Sequence, residues 1–192
     1  MIGQKDIETL FAKQLARIGD AELRLKVVRT FVLACQRGKW ESVGDLEKMP
    51  FTLLTETHGV NFIEHTIAVT EGAAALGRAQ AEAYARLPYT IDFDRLFAGG
   101  LLHDVGKLLE IEPDGNGGFR KSLAGKHARH PICGAILASE CGLGGDIVNI
   151  IVCHSKEGEG RPQVVEAVLI HQADFATFDP LVMKQKGILI ES

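Results

Sequence analysis

A chain of 192 residues in which 46% are hydrophobic and 24% are charged has the composition of one ordinary globular domain. The formal net charge of −4 and the lack of a block of like charges argue against a nucleic-acid partner, and no apolar run approaches the roughly 18 residues that indicate a membrane span. The N-terminus has no hydrophobic signal-peptide core and the four cysteines have no paired spacing, so we expect a cytoplasmic protein.

Helical periodicity dominates the chain, and strand signals are weak. Asp20 is the predicted N-cap of a helix that ends at Gly38. The predicted helices span residues 21–38, 61–87, 94–110, 130–142, 145–155 and 163–178. The polar, glycine-rich residues 112–126 are predicted to form one long loop. The sequence therefore predicts an all-α fold in which residues 1–50 form a helical extension, packed on a single globular unit of residues 51–192.

One face of the predicted helix over residues 94–110 carries polar side chains that are unusual for a solvated surface. Gly100, His103, Asp104 and Lys107 gather on one side, opposite a leucine-rich side that is typical of a core. A solvated face would favour glutamate, lysine or alanine, because glycine costs about 1 kcal/mol in a helix interior. The glycine beside His103 and Asp104 therefore indicates that something approaches the backbone closely.

Several other predicted helices place one histidine or aspartate on an apolar or small-residue face. A single histidine there is more often a core residue than a ligand, but a buried carboxylate must be paired or bind a metal. Four imidazoles and two carboxylates together form a candidate metal site in a helical core, made of His65, His103, Asp104, His130, His154 and Asp174. Six ligands on one metal would leave no place for substrate, so two metals that share a bridging carboxylate fit better. Ligation by nitrogen without thiols favours iron, manganese or another transition metal.

These motifs resemble those of the HD-domain superfamily of metal-dependent phosphohydrolases. The family order is His, then His-Asp, then a distal Asp, which is matched by His65, the pair in "LLHDVGKLLE" and Asp174. "HPICGA" and "IVCHSKEG" resemble the additional histidine motifs of the dinuclear branch. The resemblance covers residues 55–180 and implies an HD-domain helical bundle. The chain lacks the Gly-Tyr-Pro element of the cyclic-di-GMP phosphodiesterases, and its spacing is closer to that of the diadenosine-tetraphosphate hydrolases.

The resemblance also implies a ligand set and a reaction. The first metal would be held by His65, His103, Asp104 and Asp174. Asp104 would bridge to a second metal, which His130 and His154 would complete. A hydroxide between the two divalent metal ions would attack phosphorus in a small phosphorylated substrate such as a nucleotide. Asp104 and Lys107 are the catalytic candidates, since Lys107 could hold a phosphoryl oxygen or protonate the leaving group.

Further side chains near these ligands are candidate substrate contacts. They are Lys107, His127, Arg129, Lys156 and His171. Each has a structural alternative, because a cation near a ligand is often only a surface charge. For His171 the alternatives are packing in the core and support of a ligand from behind.

Two other functions are compatible with the same ligand set. The superfamily includes mixed-valent di-iron oxygenases, which resemble this chain in all six ligands. A non-catalytic module that senses a nucleotide is the other alternative, although a complete ligand set argues against it. Lys107 and its "HDVGK" context favour hydrolysis.

Overall fold

A computed structural model describes residues 1–158 and 161–190. Its helices are α1 (Gln4–Leu10), α2 (Ala12–Leu15), α3 (Ala21–Gly38), α4 (Val43–Leu46), α5 (Phe62–Ala83), α6 (Phe93–Leu102), α7 (Lys107–Glu110), α8 (Leu123–His127), α9 (His130–Glu140), α10 (Gly145–Cys153) and α11 (Val165–Gln185). Within the described residues, the regular extended structure is one hairpin of β1 (Ile111–Pro113) and β2 (Phe119–Lys121). The predicted all-α fold is confirmed. None of these helices combines the length and the apolar character that a membrane crossing requires.

Two of the N-terminal helices pack on the helices that carry the candidate site, since α2 contacts α5 and α6. α3 lies against α6, α7 and α9. The Asp20 carboxylate caps α3 by accepting hydrogen bonds from the backbone N–H groups of Glu22 and Leu23, as the sequence predicts. Just after α3, the buried Trp40 ring donates from Nε1 to the Leu108 carbonyl at 2.8 Å. The boundary proposed at residue 50 stays a prediction.

The central layer consists of α5, α6 and α11, and α10 packs on α6, α9 and α11. Asn61 and Glu64 form a capping box that fixes the start of α5. α5 ends at Ala83, before the predicted limit of residue 87. α11 continues through Pro180 to Gln185, beyond the predicted limit of residue 178. The long helices therefore begin where their sequence signals lie, whereas their ends differ by several residues.

The continuous helix predicted over residues 94–110 is wrong, because α6 and α7 are separated by a tight turn. In this turn, Val105 N–H donates to Leu102 O and Lys107 N–H donates to Asp104 O, which is 3₁₀-type bonding. The start of α9 lies against the turn. A Cβ atom on Gly106 would lie 2.0 Å from the His130 carbonyl oxygen, so a side chain here would displace α9.

The single loop predicted over residues 112–126 is also wrong. The β1–β2 hairpin pairs Glu112 with Arg120 in antiparallel register, and α8 follows it. At the hairpin tip, the Asp114 carboxylate accepts hydrogen bonds from the backbone N–H groups of Asn116 and Gly118. Such Asx-type bonding stabilises a tight turn, which explains how a glycine-rich sequence supports two short strands.

Candidate metal centre

Six side chains from five parts of the fold converge in the core. His65 comes from α5 and Asp174 from α11, while His130 opens α9 and His154 directly follows α10. His103 and Asp104 come from the turn between α6 and α7. All four histidines and Asp104 are buried, and Asp174 is half-buried. The structure thus brings together every metal ligand that the sequence predicts.

Among the described residues, the ligand atoms form two groups within 4.8 Å that could each hold a metal ion. The first group comprises His65, His103, Asp104 and Asp174, and the second comprises Asp104, His130 and His154. Asp104 is the shared member, so its carboxylate lies between the two groups.

The two oxygens of Asp104 face different groups. Oδ2 lies 3.3 Å from Nε2 of His65 and 3.4 Å from Nε2 of His103. Oδ1 lies 3.4 Å from Nε2 of both His130 and His154. With its oxygens divided in this way, Asp104 is the side chain that both groups would share.

Three buried atoms of the cluster test whether a metal fits. His65 Nε2, His103 Nε2 and Asp104 Oδ1 have no hydrogen-bond partner among the described residues, although neighbouring ligand atoms lie close to them. A buried polar atom without a partner is costly, typically by about 1–3 kcal/mol. Metal coordination would satisfy all three atoms, so the donor set fits a bound metal ion.

The outer nitrogen of each histidine ring is held by the protein, which leaves Nε2 to face the cluster. His103 Nδ1 donates to the Gly100 carbonyl at 2.6 Å, and His154 Nδ1 donates to the Ile151 carbonyl at 2.7 Å. His65 Nδ1 lies 3.3 Å from the Thr177 hydroxyl. Such contacts fix the tautomer and the orientation of a metal-binding imidazole.

Glu110 supports His130 and was missed by the reasoning from sequence. Its Oε2 accepts hydrogen bonds from the His130 backbone N–H at 2.6 Å and from His130 Nδ1 at 2.8 Å. Burial acts to raise the pKa of Glu110, but the hydrogen bonds from His130 and the charge of Arg129 outweigh it and lower the pKa to about 2. The available signal was an acidic residue that ends an apolar run in "LLHDVGKLLE".

The protonation states suit metal binding. Burial acts to raise the pKa of Asp104, but the charge of Lys107 and the nearby His103 hold it well below its usual value. Burial also acts to raise the pKa of Asp174, but the His65 imidazole, whose Nε2 lies 3.1 Å from Asp174 Oδ1, outweighs it and lowers the pKa to about 2. Burial lowers the pKa of His130, so its ring stays neutral. Ionised carboxylates and neutral imidazoles are the forms that bind metals.

A cavity of about 440 Å³ opens onto the cluster. Its lining includes Asp174 and His130 from the two metal groups, together with Lys107, Arg129 and Lys156. Lys107 Nζ lies 2.5 Å from Asp104 Oδ2, so this lysine connects the cavity to the shared carboxylate. A ligand in the cavity would therefore meet both the cluster and a cationic surface.

The remaining predicted contacts lie in different places. Arg129 pairs with Glu110 and with Glu157 at the cavity wall. His171 donates from Nδ1 to the His154 carbonyl at 2.7 Å, which places it behind a cluster histidine. His127 is exposed at the end of α8 and is not among the described residues that line the cavity. The substrate roles of these side chains stay predictions.

Comparison with known proteins places the fold and the cluster in a family. The family model of the HD domain matches residues 62–176, so this chain belongs to the HD-domain family. HD domains are typically metal-dependent phosphohydrolases, and the His/Asp cluster here could hold metal.

The chain is similar to several proteins named ribonuclease Y. It is 32% identical to those of Pseudothermotoga lettingae and Thermotoga maritima over 118 residues, which is 62% of this chain and 18% of each relative. It is 33% identical to that of Acidothermus cellulolyticus over 118 residues, 19% of that relative. The match thus covers under a fifth of these curated relatives. No solved structure matches this chain significantly.

Proposed function

We propose that this chain is a metal-dependent phosphohydrolase that cleaves a phosphoester or phosphoanhydride bond in a small nucleotide. The observation that carries the proposal is the position of Asp104. Its two oxygens face separate histidine groups, and its Oδ2 also accepts a hydrogen bond from Lys107 at the cavity wall. A shared carboxylate next to an open, cation-lined cavity is the arrangement that two-metal hydrolysis requires.

The two groups of ligand atoms support separate roles within the cluster. One metal ion would be held by His65, His103, Asp104 and Asp174, and the other by Asp104, His130 and His154. The nitrogen-rich, thiol-free donor set suits iron or manganese. When bound, two such ions polarise phosphoryl oxygens and lower the pKa of a water molecule that serves as the nucleophile.

Lys107 is the side chain best placed to act on the substrate. It is largely buried, and its Nζ lies 5.5 Å from the Phe51 ring centroid at the inner wall of the cavity. From there, the ammonium can donate a hydrogen bond to a phosphoryl oxygen or a proton to the leaving group. Lys121, Arg129 and Lys156 line the same cavity and outnumber Glu110 and Glu157 there, so together with Lys107 they leave positive charge that favours a phosphorylated substrate.

A second candidate is cleavage of a phosphodiester bond in RNA. The observation that favours it is the 32% identity to ribonuclease Y over 118 residues. The net charge of −4 opposes it, because RNA-binding surfaces are usually basic. A short single-stranded RNA is therefore included as a substrate in the test.

To test the proposal, the protein is purified anaerobically and its metal content is measured. Phosphate release is then assayed with a panel of nucleotides. We expect Lys107→Ala to lower kcat at least tenfold with unchanged metal content, whereas Lys126→Ala, which changes an exposed lysine on α8, leaves both unchanged. Cleavage of RNA without release from nucleotides would favour the second candidate. A mixed-valent iron signal with oxygen consumption and no hydrolysis would replace both candidates with an oxygenase.

A further inference from the structure

The cavity beside the cluster has one apolar wall that the proposed metal chemistry does not use. It is formed by Leu53 and Leu54, which precede α5, and by Phe175 and Phe178 of α11. Leu53 is 41% exposed and Leu54 is 72% exposed, so two large apolar side chains face open space at the cavity. Exposed apolar surface in a cleft indicates a ligand that covers it.

The apolar wall is continuous with the metal centre. The Phe51 ring stacks on the His65 imidazole, with centroids 4.0 Å apart and planes 16° apart. Phe178 meets the Phe51 ring edge-on at 6.4 Å, and it lies one helical turn beyond Asp174. A group that contacts Phe178 is therefore next to the point where a phosphoryl group would meet the cluster.

The other side of the cavity has the opposite character. Lys121, Arg129 and Lys156 line it. Arg129 is oriented by Glu110 and Glu157, to which it donates at 2.9 Å and 3.0 Å. The cavity thus combines basic side chains, partly neutralised by Glu110 and Glu157, with aromatic and aliphatic surface, and it reaches the cluster through Lys107 and Phe51.

The apolar wall is held in place before any ligand binds. The segment that contains Leu53 and Leu54 is closed at its base by a β-bridge between Pro50 and Asn61. Further along the segment, the Thr55 hydroxyl donates a hydrogen bond to the Gln185 side chain at the end of α11. A preformed surface lowers the ordering cost of binding, which favours a site over a chance exposure of leucine.

We propose that this wall is a nucleobase subsite, and this inference rests on the proposed nucleotide hydrolysis. The base would lie against Phe178, Phe175 and Leu54, while the phosphates face the cluster and the cationic side. A nucleotide has the same division between a flat ring and a charged phosphate. The wall offers packing and stacking, which every base can use. We therefore expect a larger difference in affinity between nucleotides and sugar phosphates than between nucleotides with different bases.

Equilibrium binding tests this subsite without turnover. The probes are phosphonate analogues of AMP and of ribose 5-phosphate, in which CH₂ replaces the ester oxygen, and the protein is the full chain loaded with Mn²⁺. The two probes share the ribose and the phosphonate, and the AMP analogue carries adenine where the other carries the anomeric hydroxyl group. We expect the AMP analogue to bind about tenfold more tightly, as is typical for one base stacked on an aromatic side chain.

Variants of the apolar wall show which side chains produce the preference for the AMP analogue. Phe178→Ala is expected to weaken binding of the AMP analogue about tenfold and leave the ribose 5-phosphate analogue unchanged, and Phe178→Tyr is expected to restore it. Phe93→Ala is the matched control, because Phe93 is a partly buried phenylalanine that does not line this cavity. Leu54→Ala changes a mostly exposed side chain, so it tests the same wall if Phe178→Ala does not fold.

The outcomes separate this inference from the proposed function. Equal affinity for the two probes, or the same affinity ratio in Phe178→Ala and Leu54→Ala as in the unaltered chain, would overturn the nucleobase subsite even if phosphate release is observed. A base preference that disappears in these variants supports the subsite even if no nucleotide is hydrolysed, and in that case only the hydrolysis proposal fails.

Discussion

Glu110 binds His130 at two points, the backbone N–H at 2.6 Å and the ring Nδ1 at 2.8 Å. The double contact fixes both the start of α9 and the direction of the imidazole. As a result, His130 Nε2 lies 3.4 Å from Asp104 Oδ1 and 3.3 Å from His154 Nε2. A carboxylate behind a metal-binding imidazole also increases the basicity of the ring.

Glu110→Gln is therefore expected to weaken the second metal site selectively. An amide cannot replace a carboxylate as acceptor for both His130 N–H groups with the same strength, and loss of such a partner typically costs about 10–100-fold in metal affinity. Metal titration followed by calorimetry should show one site unchanged and one weakened.

Glu112→Gln is the matched control, because Glu112 pairs with the exposed Arg120 on the hairpin. It should bind both metals as the unaltered chain does. If Glu110→Gln binds two metals with unchanged affinities, Glu110 has no role in metal binding beyond packing.

Alanine substitution of a ligand should lower the metal content by an amount that depends on whether the side chain belongs to one group or to both. We expect His154→Ala to retain about one metal per chain, because His65, His103, Asp104 and Asp174 remain together. Asp104→Ala removes a member of both groups and should retain less than one. Mass spectrometry after desalting measures the number of metal ions per chain in each variant.

Asp179→Ala is the control for these ligand variants, since Asp179 is an exposed carboxylate on the same helix as Asp174. It should retain full metal content. About one metal per chain in the unaltered protein, in His130→Ala and in His154→Ala would show that this chain holds one metal rather than two.

The cluster side chains were predictable from two different signals. His65, His154 and Asp174 lie on apolar helical faces, and periodicity places such side chains inside. His103 and Asp104 lie on the polar side of their predicted helix and stood out because a glycine lies beside them. Glu110 was not identified because it ends the predicted helix, where a glutamate usually reaches solvent. Its role depends on His130, and sequence spacing does not show that the two residues meet.

The break between α6 and α7 has a similar explanation. Residues 94–110 have continuous helical periodicity, so local propensity alone favours one helix. The turn at residues 103–106 is stabilised by tertiary contact, because α9 approaches Gly106 too closely for any side chain. Gly100, the glycine that the sequence indicates as a point of close approach, lies against the protein's own helix α5, because a Cβ atom there would lie 2.9 Å from the Thr70 hydroxyl oxygen and 3.0 Å from the Thr70 Cα.

Gly106→Ala should therefore destabilise the fold and distort the cluster. The added Cβ would lie 2.0 Å from the His130 carbonyl oxygen and 2.7 Å from the Gly134 nitrogen, both of which are backbone atoms. Overpacking of this kind costs at least about 1–3 kcal/mol of unfolding free energy. Urea denaturation measures the loss, and metal titration shows whether the second site weakens with it.

Gly145→Ala is the matched control in the first turn of α10, where an added Cβ meets no atom within 4 Å. It should be neutral or stabilise the fold by up to about 1 kcal/mol, because alanine is the better helix former. Equal stabilities for the two alanine variants would mean that the approach of α9 to Gly106 can relax without cost.

A charged network on the far side of the core should contribute to stability without affecting metal binding. Glu166 of α11 is 0% exposed and accepts hydrogen bonds from the Asp92 backbone N–H at 2.7 Å and from Arg95 at 3.3 Å. Arg95 also donates to Asp146 of α10 at 2.8 Å, so it joins α6 to both neighbouring helices. Arg95→Ala leaves the buried Glu166 carboxylate without its cation.

Because Arg95 is partly exposed, the expected loss is roughly 2 kcal/mol of unfolding free energy, less than the loss for a fully buried pair. Urea denaturation measures it against Arg120→Ala, which removes the exposed hairpin pair with Glu112 and should cost under about 1 kcal/mol. Metal content should be unchanged in both variants. If Arg95→Ala is no less stable than Arg120→Ala, water reaches Glu166 and replaces the guanidinium, and the network does not hold α6, α10 and α11 together.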